Sequence, residues 1–291
     1  MDCSIVALIK GGLGNQLFSY AAARALALRT QRTLWVDPES GFLRDGYSRQ
    51  FRLGEFPIES SLAPASLRLG SSRSFRHRSR RLFDRFFPAD SRSYWVERKS
   101  TRPSDLLNFS SSRKTIFLNG YWQDGDYFRD FATPLRRELT PPPLEVASDL
   151  ALEQEFLDQP SVFVHIRRVR YSPRLDSDYY QRALVDASQR VSGVRFEVFG
   201  DDLAWARTHL DFGALPVRFH DGDVSNELRD FRLMQACRHA IVANSSFSWW
   251  AAWLRDSETK WVWTPENPGW PVVPEPHWLR IANRLDASLS D

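Results

Sequence analysis

The chain has 291 residues, 42% of them hydrophobic, 26% charged and 13% aromatic, which fits a soluble globular chain of one large or two medium domains and excludes a disordered or collagen-like one. Net charge is only +3, yet residues 1–140 carry 23 basic and 14 acidic side chains whereas residues 141–291 carry 16 and 22. The most apolar runs, Ser4 to Ile9 and Ala240 to Ala243, are far shorter than the roughly 20 residues of a membrane-spanning helix, and no signal-peptide pattern opens the chain, so a cytoplasmic or peripheral protein is expected.

In chain order, the apolar run Ser4 to Ile9 predicts a strand that breaks into Gly11-Gly12-Leu13-Gly14-Asn15. The helix formers of Leu17 to Leu28 and a second strand at Thr33 to Asp37 follow. This is the βαβ opening of an α/β layer. No elements are predicted with any clarity from there to about Ser112, a stretch rich in Pro, Ser and Arg, and the strand pattern resumes at Thr115 to Asn119. Pro141-Pro142-Pro143 cannot continue a helix or pair in a central strand, and the charge balance changes sign there, so the domain boundary is placed between residues 1–140 and 141–291. Behind it, strands are predicted at Val162 to Ile166, Val194 to Phe199, Val217 to Phe219, Ala240 to Ala243 and Lys260 to Trp263. Helices are predicted at Asp178 to Val191, Asp202 to Leu210, Asn226 to Arg238 and Trp249 to Arg255. Apolar strands alternating with helices imply a parallel sheet covered on both faces, in which ligands bind outside the carboxyl ends of the strands.

The residues at those ends are polar: His165-Ile166-Arg167-Arg168, Gly200-Asp201-Asp202, and Asn244-Ser245-Ser246-Phe247-Ser248. Paired arginines suit a diphosphate, hydroxyls and backbone N–H groups opening a helix add neutral donors, and a carboxylate can accept from a base edge. Each motif alone is usually structural, as a surface pair, a cap or a turn. Their coincidence at three strand ends sketches a nucleotide-diphosphate pocket.

The opening Gly11 to Ala21 (GGLGNQLFSYA), His165 to Arg168, Phe199 to Asp202 and Asn244 to Trp250 (NSSFSWW) together resemble the bacterial α-1,2-fucosyltransferases, glycosyltransferase family 11, in order along nearly the whole chain. The resemblance implies a GT-B-like α/β fold, with two Rossmann-like lobes facing a central cleft: an acceptor-side lobe over residues 1–140 and a GDP-sugar-binding lobe over residues 141–291. It implies GDP-β-L-fucose as co-substrate, no metal or other cofactor, and inverting transfer of L-fucose to the 2-hydroxyl of a terminal galactoside in glycan or surface-polysaccharide (O-antigen) synthesis. It places Arg167 on the β-phosphate with Arg168 orienting the pocket, His165 near the nucleoside, Asp201 or Asp202 on the guanine, and Asn244, Ser245, Ser246, Phe247 and Ser248 along the donor site. Gly12 and Gly14 let backbone approach a ligand, and Asn15 points into the cleft. Asn15, Arg167 and Asp126 are the candidate catalytic groups, with Asp124 beside Asp126 as another carboxylate.

Where the family usually has Gly-Asp-Tyr after the arginine pair, this chain has Val169-Arg170-Tyr171. A base in place of an acid leaves open a transferase for another GDP-sugar, or a non-catalytic nucleotide-sugar or glycan-binding relative. The three Asp-x-Asp pairs, Asp124/Asp126, Asp176/Asp178 and Asp221/Asp223, are about as many as chance gives 23 aspartates, so they carry little weight for a metal. Cys3 and Cys237 lie far apart without metal-ligand spacing. Gly11 to Gly14 is neither a Walker A loop nor GxGxxG. Trp250 and Trp253, at helical spacing, are expected in the core, and the loop residues Trp122 and Trp270 at the acceptor. The arginine run Arg76, Arg78, Arg80, Arg81 reads as a solvated face, or as a surface for an anionic membrane or a lipid-linked acceptor; no nucleic-acid-binding motif accompanies it.

Overall fold

The computed structural model describes residues 3–70, 75, 78–79, 82, 86–87, 92–169, 173–221, 227–269 and 272–286. Arg76, Arg80, Arg81, Arg170, Tyr171, Asp223, Asn226 and Trp270 lie outside them. The chain divides into two compact units, Met1–Thr140 and Pro141–Asp291.

The front unit is built on a five-stranded parallel sheet in the order β3-β2-β1-β5-β4. Its strands are β1 (Ser4–Leu8), β2 (Thr33–Asp37), β3 (Ser61–Leu62), β4 (Tyr94–Val96) and β5 (Thr115–Asn119). Every residue of β1 is buried, which is why that segment reads as an unbroken apolar run rather than an alternating one. The helix Leu13–Thr30 starts four residues before the predicted Leu17, taking Gly14 and Asn15 into its first turn. Gly12 is its N-cap in an extended conformation, a position glycine tolerates well. Five alanines on this helix are buried, and their small side chains let it lie close on the sheet. It ends where Gln31 turns left-handed (φ 53°) and Arg32 N–H reaches back to Ala27 O at 2.9 Å. β3, β4 and the helix Pro103–Leu107 occupy the stretch in which no elements were predicted.

A buried ionic cluster locks this helix to the end of the unit. Glu138, fully buried, accepts from Tyr20 Oη at 2.5 Å and from Arg24 Nε and Nη2 at 3.0 and 2.8 Å. Arg24 also reaches Glu59 at 2.6 Å, and Glu59 N–H donates to Tyr20 Oη at 3.1 Å. Burial first, then the hydrogen bond to Glu138, pushes the Tyr20 phenol far above its ordinary range, so it is a permanent donor.

The rear unit has a six-stranded parallel sheet in the order β12-β11-β10-β6-β8-β9. Its strands are β6 (Ser161–Ile166), β8 (Arg195–Gly200), β9 (Val217–Phe219), β10 (His239–Ile241), β11 (Val262–Pro265) and β12 (Leu279–Ile281). Numbered from the first strand of the unit, this is the 3-2-1-4-5-6 order of a dinucleotide-binding sheet. A separate antiparallel pair joins β7 (Arg174–Leu175) to β13 (Leu285–Asp286). Helices Ser177–Arg190, Leu203–His209, Glu227–Ala236 and Ser246–Leu254 follow the predicted ones within a few residues, and Ala147–Asp158 is added. Trp249, Trp250 and Trp253 are at most 5% exposed and pack on each other and on Trp278, as core residues. Among the described residues no helix is long and apolar enough to cross a membrane.

Gly200 closes β8 against β6 at φ 150°, and a Cβ there would sit 2.1 Å from Ile166 O. Gly200→Ala is therefore expected to cost about 3 kcal/mol or more, since backbone on a buried central strand must move; a urea melt with unchanged midpoint would contradict this.

Candidate functional site

β6 and β10 are neighbours, but the chain leaves β6 for β8 on one side and β10 for β11 on the other. The divergence opens a crevice beyond their carboxyl ends, the standard ligand position in such sheets. His165, Arg167 and Arg168 stand at the end of β6, and residues 242–245 lead from β10 into the helix Ser246–Leu254. The imidazole of His165 lies 5.6 Å from the Phe247 ring, tying one strand end to the other.

The register Ile166↔Gly200 brings the residues after β6 alongside those after β8. Asp201 Oδ2 accepts from Arg167 Nη1 at 2.7 Å and Oδ1 accepts from the Arg168 backbone N–H at 2.7 Å. Oδ2 thus aims the Arg167 guanidinium and Oδ1 fixes the backbone of the next residue, while the Arg167 side chain stays 35% exposed, a fixed cation that solvent or a ligand can reach. Arg168 is held differently: its guanidinium stacks 3.9 Å from the Trp205 ring centroid, donates to Leu175 O at 2.9 Å and lies 3.8 Å from Asp202. Asp202 caps the helix Leu203–His209, accepting from Trp205 N–H at 3.1 Å. The two aspartates proposed to read a base are therefore, in this structure, an arginine holder and a helix cap.

His165 is buried, and Tyr180 Oη donates to its carbonyl at 3.1 Å. Burial first, and then the charge of Arg167, lower its imidazole to about 3, so at neutral pH it is uncharged and offers one donor and one acceptor. Its Nδ1 is buried with no hydrogen-bond partner among the described residues. Asn244 Nδ2 donates to Pro173 O and Pro268 O at 2.9 and 3.0 Å, pinning two loops beside the crevice. Ser245 caps the next helix by accepting from Phe247 N–H at 3.3 Å. Ser248 is buried and donates to Ser245 O at 3.3 Å, so its hydroxyl serves the cap. Ser246 and Phe247 are half-buried at the helix start, where N–H groups and the dipole favour an anion.

In the front sheet β1 and β5 are parallel neighbours, so the turn after β1 and the loop after β5 lie side by side beyond their carboxyl ends. Gly11 has φ 78°, and a Cβ on it would sit 2.9 Å from Asn15 Nδ2, so glycine there makes room for the Asn15 amide. Asn15 Oδ1 accepts from Gln123 Nε2 at 2.6 Å, and Ser19 Oγ donates to Gly120 O at 2.9 Å; the glycine turn is thus joined to the loop after β5. Glu97 accepts from Tyr121 and Trp122 N–H at 2.6 and 3.0 Å. Lys10 donates to Asn119 Oδ1 at 2.8 Å; burial lowers its amine despite the opposing charge of Glu97. Gly14 is buried in the first turn of the helix, and Gly12 at its cap is half-buried.

One expectation changes here. Trp122, expected at an acceptor surface, is 1% exposed and packs edge-on to Tyr127 at 5.4 Å; it is a core residue of the loop. Asp126, the candidate carboxylate after β5, has a side chain 57% exposed that pairs with Arg129 at 2.7 Å, three residues on. The side chain hydrogen-bonded to Asn15 is that of Gln123, and neither it nor Glu97 or Lys10 was singled out, because a lone amide or charge beside a short strand has no sequence signature. Burial, ahead of the other influences, raises the Asp124 carboxyl.

Among the described residues no three His, Cys, Asp or Glu side chains group as a metal site. The Asp-x-Asp residues are used locally: Asp124 accepts from Asp126 N–H, Asp176 caps a helix, and Asp221 pairs with Arg207.

The description "Glycosyl transferase family 11" matches residues 4–271. Among curated relatives, an alpha-1,2-colitosyltransferase of Escherichia coli is 27% identical over 95% of this chain and 98% of its own length. The O-antigen biosynthesis glycosyltransferase WbnK of Escherichia coli is 29% identical over 89% of this chain and 93% of its own. A crystal structure of NodZ alpha-1,6-fucosyltransferase soaked with GDP-fucose superposes with a TM-score of 0.52 at 16% identity, covering 87% of this chain and 93% of that one, a likeness of fold that places the two parallel-sheet units in the GT-B class. With its glycine turn, arginine pair and Asn-Ser-Ser helix start set at the ends of these sheets, the chain belongs to glycosyltransferase family 11.

Proposed function

We propose that the chain is an inverting, metal-independent transferase that moves L-fucose from GDP-β-L-fucose to the 2-hydroxyl of a terminal galactoside in surface-polysaccharide synthesis. The observation that carries this reading is Arg167, reachable from outside and held by Asp201, which bonds its guanidinium and the next backbone N–H, at the switch point of a dinucleotide-type sheet. Departure of GDP leaves negative charge on the β-phosphate, and a preorganised guanidinium beside a helix N-terminus stabilises charge where it develops. His165, uncharged, hydrogen-bonds the donor without competing for the phosphate. Arg168, packed on Trp205, keeps the arginine loop in register. In the front unit Asn15, steered by Gln123, orients the acceptor hydroxyl. Because C–O cleavage runs ahead of attack in an oxocarbenium-like transition state, orientation does much of what a strong base would otherwise do. The acceptor is glycan, lipid-linked where the basic residues of the front unit meet an anionic surface.

A second donor is favoured by a specific observation, the colitosyltransferase relative that aligns over nearly its full length. Colitose lacks the 3-hydroxyl of fucose, so the two donors differ at one polar group. Calorimetric titration in EDTA with GDP and UDP, followed by turnover with GDP-fucose, GDP-colitose and GDP-mannose, tests both points. GDP is expected to bind at least tenfold tighter than UDP without metal, and GDP-fucose to turn over fastest. Binding that appears only when Mg²⁺ or Mn²⁺ is restored would overturn metal independence, and faster turnover of GDP-colitose would reassign the donor.

A further inference from the structure

The loop after β5 is held more firmly than a connector requires. Trp122 adopts φ 54°, a left-handed conformation that residues with a Cβ avoid and that persists only where the surroundings enforce it. Two constraints enforce it. The Glu97 carboxylate takes the N–H groups of both Tyr121 and Trp122, and the indole of Trp122 is packed edge-on to Tyr127 in the core.

The next residue receives the benefit of that constraint. Gln123 is 3% exposed, and its Nε2 lies 2.6 Å from Asn15 Oδ1. Its other end, Oε1, is buried with no hydrogen-bond partner among the described residues. A buried amide oxygen left unmatched is a cost the fold does not normally accept. Replacing the residue with an apolar one of similar size would remove that cost, yet the backbone is instead held in a disfavoured conformation immediately before it. The residue also follows the carboxyl end of β5, beside that of its parallel neighbour β1, the side of such a sheet on which ligands bind.

We infer that Gln123 is a substrate-contacting residue: Oε1 accepts a hydrogen bond from a hydroxyl of the acceptor sugar, while Nε2 fixes the amide of Asn15. Glu97 and Trp122 are its positioning residues. The inference rests on the front unit holding the acceptor, as proposed above, and adds to it a specificity determinant. A site that offers an acceptor atom to one hydroxyl discriminates against the analogue lacking it, and this can be read directly.

The test compares wild type with Gln123→Met, and with Gln123→Glu in case the thioether variant fails to fold. It measures kcat/KM on methyl β-galactoside and its 3-, 4- and 6-deoxy analogues, together with GDP affinity. Wild type is expected to disfavour one deoxy analogue at least tenfold. Gln123→Met is expected to lose at least tenfold on the parent sugar and to treat that analogue and the parent alike within twofold, with GDP affinity unchanged within twofold. Gln123→Glu, which keeps an oxygen, should retain part of the discrimination. Equal losses on every analogue, or a parallel loss of GDP affinity, would overturn the inference and leave Gln123 a structural residue. If wild type hydrolyses GDP-fucose and transfers to no galactoside, the acceptor reading itself fails, and the inference with it.

Discussion

Arg167→Ala is expected to weaken GDP binding about 100-fold while leaving the fold in place. Truncating one partner of a hydrogen-bonded charge pair costs about 2–5 kcal/mol, and every ~1.4 kcal/mol is tenfold in affinity. The fold should tolerate the change, because the Arg167 side chain is about one-third exposed and Asp201 keeps the Arg168 N–H as a partner; a solvent-reachable ion pair contributes only about 0–1 kcal/mol. Arg167→Lys should recover only part of the affinity, since an ammonium restores the charge without the planar fork. Asp201→Asn provides the companion measurement. It leaves the guanidinium present but loosely aimed, so GDP affinity should fall by less than in the alanine variant while turnover falls with it. Calorimetry on the three variants, with thermal melts alongside, gives the ranking. An Arg167→Ala protein that binds GDP like wild type would remove the cation from the donor site.

The second large effect is on stability. Glu138→Gln is expected to destabilise the front unit by about 3–5 kcal/mol, the range for breaking a buried ion pair by removing one charge. Glu138 has no solvent exposure and receives Arg24 through two nitrogens and the Tyr20 hydroxyl. A glutamine cannot accept at both positions, and its NH₂ faces either a guanidinium or a phenol that is already donating. Arg24 stays partly covered and loses its buried counter-charge, keeping only the more exposed Glu59 as an acidic partner. For a unit of about this size, ~1 kcal/mol shifts the melting temperature by roughly 2–4 °C, so a fall of about 10 °C is expected by calorimetry. The helix Leu13–Thr30 carries Asn15 in its first turn, so acceptor turnover should decline at temperatures where GDP binding to the rear unit persists. Tyr20→Phe should cost less, since it removes one neutral donor and leaves the ion pair intact. A melting temperature unchanged in Glu138→Gln would mean that this cluster does not hold the helix.

Much of the fold was legible because parallel strands buried on both faces leave continuous apolar runs. β1, β6 and β10 lie in such runs, while β8 is interrupted by Glu197, and glycines or arginines after β1 and β6 mark their ends. The three-proline segment and the change of charge pointed to residue 140, where the two compact units divide. β3, β4 and β12 have two or three residues each, too few for any period to show, and the order of strands in a sheet is a tertiary fact. That order is what sets Asp201 against Arg167: in sequence they are 34 residues apart, and only the β6–β8 register makes them neighbours. Gln123 was illegible for a related reason. Its meaning lies in a left-handed Trp122, a carboxylate from the loop after β4 and an amide on the first helix, none of which leaves a local pattern. Trp122 misled because an aromatic residue in a loop is ordinarily exposed, whereas here its ring fills the space under that loop.

The central claim is transfer of fucose to a galactoside 2-hydroxyl with inversion, and the most direct measurement is NMR of the product formed from GDP-β-L-fucose and methyl β-galactoside in EDTA. The account predicts a new anomeric signal of an α-linked fucose, with a through-bond or nuclear Overhauser correlation from fucose H1 to galactose H2. A β-linked product, a correlation to any other galactose position, or product formed only after a divalent metal is restored would contradict it.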